Sequence, residues 1–177
     1  MSLQNAEANL VEFGKDLNLE GLTFDENHTC ILGIDNTFSL HLTYEPNSDR
    51  LYLYSPIIDG LPKDDKSRLK LYEALLEGSM LGGQMAGGGA GVAVKEELIL
   101  MHCVLEMGSV ADPSSLRRFA PIFVESVEKW RKRAVDIIEG RDPGATGIPG
   151  GGPIGGGNAP QNPENGGPNP GDKFIKI

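Results

Sequence analysis

The sequence is poor in cysteine, since only Cys30 and Cys103 occur in 177 residues. Two cysteines cannot form the disulfide framework that stabilises small secreted domains, so that class of protein is excluded. Both cysteines lie in apolar, strand-like contexts, where free cysteine usually behaves as a small buried hydrophobic residue. We therefore expect two reduced thiols and a reducing compartment.

Long apolar runs are also missing. No segment approaches the roughly 20 apolar residues that cross a bilayer as a helix. The N-terminal region lacks the basic segment and apolar run of a secretory signal. The sequence thus predicts a soluble protein that resides in the cytoplasm and does not insert into membranes.

Basic residues are too few for nucleic-acid binding. Lys and Arg number 16 against 25 Asp and Glu, which gives a net charge of −9. This charge lies in residues 1–139, because residues 140–177 contain three residues of each sign. An acidic domain repels phosphate backbones and attracts basic or amphipathic protein segments. We expect protein partners and no nucleic acid.

The residue spacing indicates no catalytic or metal site. His28, His41 and His102 show no metal-ligand spacing with one another or with the cysteines. The acidic residues are scattered along the chain and form no recognisable pair. We expect no catalytic residue, no metal and no cofactor.

The glycine-rich run of residues 82–91 does not match a phosphate-binding loop. It follows a predicted helix and leads into a predicted strand, whereas a phosphate loop leads into the helix that faces the phosphate. No Gly-Lys-Ser or Gly-Lys-Thr follows it. The run therefore predicts a tight turn with close backbone contacts.

Residues 64–107 predict a helix, this turn and two strands. Asp64 supplies capping chemistry, and apolar residues recur with a helical period in one stripe as far as Met80. Gly78 and the glycine run are expected to end the helix. The second strand, residues 98–105, is apolar on both faces, so it needs cover on each side. A second subunit or a bound partner could supply part of that cover.

The flanking segments complete an α+β fold in the order α-β-β-β-α-β-β-α, with an antiparallel sheet. Pro56 and Pro62 are expected to flank the link to the central helix, and Asp112 is expected to cap the last one. The remaining predicted elements are a helix at 5–17, strands at 29–34, 38–44, 51–54 and 92–94, and a helix between 112 and 140.

Domain boundaries follow from composition. Residues 1–139 form one domain of ordinary size. Residues 140–177 contain 12 Gly and 7 Pro with almost no apolar periodicity, which is typical of a disordered tail.

The domain has more apolar strand and helix faces than a chain of this size can cover. Exposed apolar patches on an acidic domain favour protein binding. Two alternatives remain open: an enzyme with a site near the glycine-rich turn, and a structural or regulatory module that associates with itself.

The element order and several local sequences resemble the class I type III secretion chaperones, the CesT/SycE-like family, over about residues 3–138. The most telling stretch runs from Leu71-Tyr72-Glu73-Ala74-Leu75-Leu76 through the glycine run to Val92-Ala93-Val94, and the last helix carries Trp130. Within the family, Leu61-Pro62 and residues 77–89 and 98–105 are most similar to the SycE-like chaperone of chlamydial type III secretion. The Gly/Pro-rich tail departs from most of the family.

This resemblance implies a bacterial, cytoplasmic homodimer without enzymatic activity. Such a chaperone binds the N-terminal segment of secreted effectors, keeps it extended and secretion-competent, and delivers it to the export machinery. The effector adds a strand to a sheet edge and places apolar anchors in grooves. For the dimer interface, we expect apolar residues of the central helix and the long strand: Leu69, Tyr72, Leu76, Leu98, Leu100 and Val104. For effector contacts, we expect residues of the first helix and the early strands: Leu10, Phe13, Leu17, Phe38, Leu40, Leu51 and Leu53.

The end of the tail combines apolar and basic residues after a long Gly/Pro-rich stretch. Residues 173–177 read Lys-Phe-Ile-Lys-Ile. Such a segment suits a sheet edge. We predict that it docks there and competes with effectors.

Overall fold

The computed structural model describes residues 2–19, 21–108 and 112–142. The element order is the predicted α-β-β-β-α-β-β-α, which confirms the α+β class. The predicted tail beyond residue 142 lies outside the described residues. The helices are α1 (Ser2–Asp16), α2 (Asp65–Ser79) and α3 (Ser115–Ile138), with a 3-10 turn (Met80–Gly82) after α2. The strands are β1 (Thr29–Ile34), β2 (Phe38–Glu45), β3 (Arg50–Asp59), β4 (Gly89–Ala93) and β5 (Leu98–Glu106).

The five strands form one antiparallel sheet in the order β1-β2-β3-β5-β4, so β1 and β4 are its edges. Successive side chains of a strand point to opposite faces. On β2, β3 and β5 every second residue is buried, and these residues form the core with α1, α2 and α3. All three helices therefore lie on one face, which we call the inner face.

Strand β3 is longer than predicted, because Pro56 lies inside it and not in the link to α2. Proline has no backbone N–H and is tolerated in a sheet only where no partner needs that donor. The pairing of β3 with β2 ends at Tyr54, and the pairing with β5 shifts register between Pro56 and Ile58. The missing donor thus falls at an irregular point of the sheet.

Helix α2 carries two apolar stripes, whereas the sequence predicted one. Leu71 and Leu75 are buried against the core, while Leu69 and Leu76 are exposed on the opposite side. The prediction that Gly78 helps to end the helix is wrong, because Gly78 is a buried residue within α2. The reason is contact with α3, because a side chain at Gly78 would overlap the indole of Trp130.

The start of α3 is held by α1. Asp112 accepts a hydrogen bond from the backbone N–H of Ser114, and the helix begins at Ser115, two residues later than predicted. The Oδ1 atom of Asn9, a fully buried residue of α1, accepts a hydrogen bond from the backbone N–H of Leu116 at 3.0 Å. The Nδ2 of the same side chain donates to the carbonyl of Asn5 at 3.0 Å. Asn9 therefore satisfies an N–H of α3 that has no partner within its own helix.

We expect Asn9→Ala to destabilise the fold by about 1–3 kcal/mol, because it leaves a buried N–H of α3 without an acceptor. Urea unfolding at a fixed protein concentration measures the effect. Glu7→Ala, an exposed change on the same helix, is the matched control and should shift stability by less than about 0.5 kcal/mol. Equal stability of the two variants would contradict the capping role of Asn9.

Candidate protein-binding surfaces

The face of the sheet opposite the helices carries apolar and aromatic side chains but has no covering helix in the described part of the chain. We call it the outer sheet face. In one row across four strands, Ile31 lies beside His41, His41 beside Tyr54, and Tyr54 beside His102. The next rows contain Tyr52 beside Val104 and Pro56 beside Leu100. These residues are half-buried or exposed, so the surface is available for contact.

A groove of about 480 Å³ crosses the outer sheet face. Its floor is formed by Tyr52, Tyr54 and Leu100. It is also lined by His102 of β5 and by Gly91, Val92 and Ala93 of β4. A second hollow of about 580 Å³ continues past Tyr54 and Leu100 towards β2. The two hollows share Tyr54 and Leu100, so the groove is continuous from β4 to β2.

Local hydrogen bonds fix the polar side chains of the groove. The ring of His41 stacks on Tyr54 with centroids 4.8 Å apart, and its Nε2 lies 2.8 Å from the hydroxyl of Ser39. Burial lowers the pKa of His41, so its imidazole is neutral at physiological pH. The hydroxyl of Tyr54 lies 3.3 Å from that of Thr43. These groups present a neutral surface.

A second uncovered surface follows the outward side of α2. It consists of Leu69, Tyr72, Leu76, Met80 and Leu81, which we call the α2 ridge. Leu69, Leu76 and Leu81 are 59%, 72% and 87% exposed. Residues spaced by three and four lie on one side of a helix. Solvated helix faces are normally polar, so this stripe indicates a contact with another chain.

Leu81 has a backbone that leucine rarely adopts. Its φ is 55° and its ψ is 14°, in the left-handed region. For a residue other than glycine this conformation costs of order 1–3 kcal/mol. This turn directs the Leu81 side chain into solvent, where it is 87% exposed. Burial within the monomer therefore does little to offset the backbone cost. Leu81 is not predictable as a contact residue, because a lone leucine beside glycines gives no periodic signal in the sequence.

The free edge of β1 is the third candidate. The backbone N–H of Tyr44 donates to the carbonyl of His28 at 2.9 Å. In an antiparallel pair the bonded residues alternate, so Ile31 and Gly33 direct their N–H and C=O groups away from β2. No described residue pairs with them. The side chain of Ile31 is also 59% exposed.

The opposite edge, β4, is partly occupied. The backbone N–H of Ala90 donates to the hydroxyl of Ser79 at the end of α2, at 3.1 Å. Strand β4 also includes part of the run that the sequence predicted as a turn, because Gly89 and Gly91 pair with β5. A side chain at Gly88 would overlap the carbonyl of His102. The glycine run therefore joins α2 to the sheet by packing.

The residues predicted for the dimer interface are all at the surface, but they divide between two surfaces. Leu69, Tyr72 and Leu76 belong to the α2 ridge, in the helix layer. Three residues of β5 lie on the outer sheet face, namely Leu98, Leu100 and Val104.

The residues predicted for effector contacts need a correction. Most of them are buried in the core of the monomer and cannot touch another chain in this conformation: Leu10, Phe13, Leu40, Leu51 and Leu53. Each lies on the inner side of its strand or helix, so the apolar pattern that singled it out reports the core. Leu17 is exposed. Phe38 is half-buried under the guanidinium of Arg131, 5.3 Å from the ring centre.

The cysteines lie in the core as predicted, and both are free thiols. Burial raises the pKa of Cys103 to about 12, and burial also raises the pKa of Cys30. Neither is a thiolate at neutral pH, and the thiolate is the nucleophilic form. Among residues 2–19, 21–108 and 112–142, no cluster of His, Cys, Asp and Glu could hold a metal ion. In the same ranges, no helix has the length and apolar composition needed to span a bilayer.

Comparison with known proteins identifies the family. Residues 8–131 match the model of the Tir chaperone protein (CesT) family. No curated protein sequence matches the chain significantly.

Chains in several solved protein complexes share the fold. A chain of the HopA1-SchA chaperone-effector complex is 26% identical with a TM-score of 0.59, and the match covers 75% of this chain and 97% of that one. A chain of the ExsC-ExsE complex is 14% identical with a TM-score of 0.59, covering 73% of this chain and 92% of that one. The Yersinia pestis type III secretion chaperone SycH, in complex with a YscM2 fragment, gives 17% identity and a TM-score of 0.53, covering 71% and 98%. The chain described here therefore belongs to the CesT family of type III secretion chaperones.

Proposed function

We propose that this protein is a cytoplasmic bacterial chaperone that works as a homodimer and has no enzymatic activity. It binds the N-terminal segment of secreted effectors, keeps that segment extended and secretion-competent, and delivers it to the export machinery. The observation that carries this proposal is the presence of two uncovered apolar surfaces on one acidic domain. One surface suits a second copy of the chain, and the other suits an effector.

The α2 ridge is our candidate for the dimer interface. Its residues are aliphatic or aromatic and form one stripe, which a twofold axis would pair with its own copy. Leu98, Leu100 and Val104 lie on the other side of the sheet. We therefore keep Leu69, Tyr72 and Leu76 in the dimer proposal and assign the three β5 residues to the effector.

The outer sheet face and the β1 edge are our candidates for effector binding. An extended segment can pair with the outward backbone groups of Ile31 and Gly33, and apolar anchors can enter the groove over Tyr52 and Leu100. The net charge of −9 accelerates encounter with basic segments. A chain of the HopA1-SchA chaperone-effector complex has a similar fold, with a TM-score of 0.59, which supports an effector as the partner.

We also propose a subgroup and a domain division for this chain. The stretches 77–89 and 98–105 support membership of the chlamydial SycE-like group. Composition supports a chaperone domain at 1–139 followed by a Gly/Pro-rich tail at 140–177.

Light scattering of the purified full chain tests the proposal. We expect a particle of about twice the 19.0 kDa chain mass. Co-expression with the N-terminal segments of proteins secreted by the same cell should add the mass of one such segment to the dimer. A dimer that retains none of these segments would favour the self-associating module, and a monomer that retains none would contradict the proposal.

Leu100→Glu should weaken binding of such an N-terminal segment by about 10- to 100-fold, because burial of a leucine contributes roughly 1.5–3 kcal/mol. Isothermal calorimetry measures the affinity, and circular dichroism checks folding. Ile122→Glu makes the same change at an exposed position of α3 and should leave affinity unchanged. Equal affinities of both variants would remove the outer sheet face from the effector site.

A further inference from the structure

We propose that residues 173–177 of this chain occupy the free edge of β1 when no effector is bound. The segment would add a sixth strand beside Ile31 and Gly33. The docking itself is independent of the proposed function. Its consequence, competition with effectors for the same edge, rests on that function.

The backbone of β1 favours this edge over the other one. Ile31 and Gly33 each direct one N–H and one C=O outward, and no described residue pairs with them. An unpaired edge readily accepts another strand. On β1 only the outward groups of Thr29 are already bonded to a described residue, Asp25. At β4, the N–H of Ala90 donates to Ser79.

The apolar pattern of β1 matches that of the segment. The side chain of Ile31 lies on the outer sheet face, while those of Cys30 and Leu32 are buried on the inner face. An added strand therefore meets apolar surface on both sides. Phe174 and Ile175 are adjacent, so as a strand they would point to opposite faces and contact both surfaces.

Charge and length also fit. Glu26 precedes β1 and Asp35 follows it, both exposed, and neither forms an ion pair among the described residues. Lys173 and Lys176 bring two positive charges to this acidic edge. A five-residue strand is about 17 Å long, close to the length of the six-residue β1.

The connecting chain is long enough to reach β1. Residues 143–172 separate the segment from the last described residue, Asp142. Thirty residues can span up to about 100 Å, whereas a domain of this size is roughly 40 Å across. Tethering at this length gives an effective concentration of order millimolar, enough for a weak edge contact to be populated.

Amide exchange in the full chain tests the proposal. In the Phe174→Asp/Ile175→Asp variant, the amides of Ile31 and Gly33 should exchange with solvent about two to ten times faster than in the unchanged chain. Ile154→Asp, an apolar-to-acidic change elsewhere in the same tail, is the control and should leave both rates unaltered. Unchanged amides in the core strands show that the domain is intact.

Three results would overturn the proposal. The first is no acceleration at Ile31 and Gly33 in the double variant. The second is acceleration confined to β4 or to the outer sheet face, which would place the segment elsewhere. The third is protection that disappears on dilution, which would assign the segment to a second molecule. None of these measurements needs an effector. Their results can therefore be interpreted even if the protein does not bind effectors.

Competition is measured separately, with an N-terminal effector segment that the dimer retains. Its affinity for the Phe174→Asp/Ile175→Asp variant should rise by the same factor as the exchange rate of Ile31. An unchanged affinity together with faster exchange would separate the edge from the effector site.

Discussion

The double variant Leu76→Glu/Leu81→Glu is expected to convert the dimer into a 19.0 kDa monomer. Leu76 and Leu81 are 72% and 87% exposed, so they contribute little to the core of one chain. In a dimer built on the α2 ridge, each would lose its water contact and gain roughly 1.5–3 kcal/mol.

Twofold symmetry doubles the effect, since each residue occurs once in each subunit. Four carboxylates would also lie close together in a seam from which water is largely excluded. We expect the dissociation constant to rise by more than about 1,000-fold, which corresponds to roughly 4 kcal/mol. The backbone cost at Leu81 stays the same, because glutamate has the same preference against a positive φ as leucine.

Sedimentation equilibrium over a range of concentrations measures this change. Lys70→Glu is the matched control, because it lies at an exposed, polar position of α2 and changes the net charge by the same two units. That variant should remain dimeric. If the double variant also stays dimeric, the α2 ridge is not the interface, and the outer sheet face becomes the candidate for self-association.

The sequence predicts the element order and the sheet class well, because both depend on local periodicity. Alternation along residues 98–105 correctly separates Ile99 and Met101, which are buried, from Leu98 and Leu100. Helix α1 and the strands β1 and β2 also fall near their predicted positions. These features are set by residues close together in the chain.

The predicted surfaces are less accurate, since exposure depends on what packs against a face. Leu10 and Leu53 have the same apolar character as Leu69 and Leu100, yet the first two are buried. Only the position of the helix layer decides this, and it results from contacts between distant segments. Periodicity shows that a face is apolar but does not identify the chain that covers it.

The glycine run shows a second limit of the same kind. The sequence predicts that Gly78 ends the helix and that residues 82–91 form a tight turn, because glycine disfavours helices and strands. In the structure, Gly78 lies within α2, and Gly89 and Gly91 lie within β4. Contact with Trp130 of α3 at Gly78, and backbone pairing with β5 at Gly89 and Gly91, override local preference at these positions.

Contact between Gly78 and Trp130 gives the prediction with the largest effect on stability. A Cβ at Gly78 would lie 2.6 Å from Cη2 of the indole and closer still to Cζ2. The indole cannot easily move, because it is buried and its Nε1 donates to the carbonyl of Gln84 at 2.8 Å. Alanine normally stabilises a helix by about 1 kcal/mol relative to glycine. Here we expect Gly78→Ala to destabilise by about 2–4 kcal/mol because of overpacking.

The corresponding fall in melting temperature is roughly 5–15 °C for a chain of this size, and circular dichroism measures it. Gly91→Ala is the control, because the structure leaves open space around Gly91, and its effect should be within about 1 kcal/mol. Trp130→Phe removes the benzo ring that carries Cζ2 and Cη2, so the cost of Gly78→Ala should be smaller in that background by about 1–2 kcal/mol. An undiminished cost there would show that the helix backbone, and not the indole, requires glycine at position 78. A reduced cost would show that α2 and α3 are held in register by this contact, which positions the α2 ridge for the second subunit.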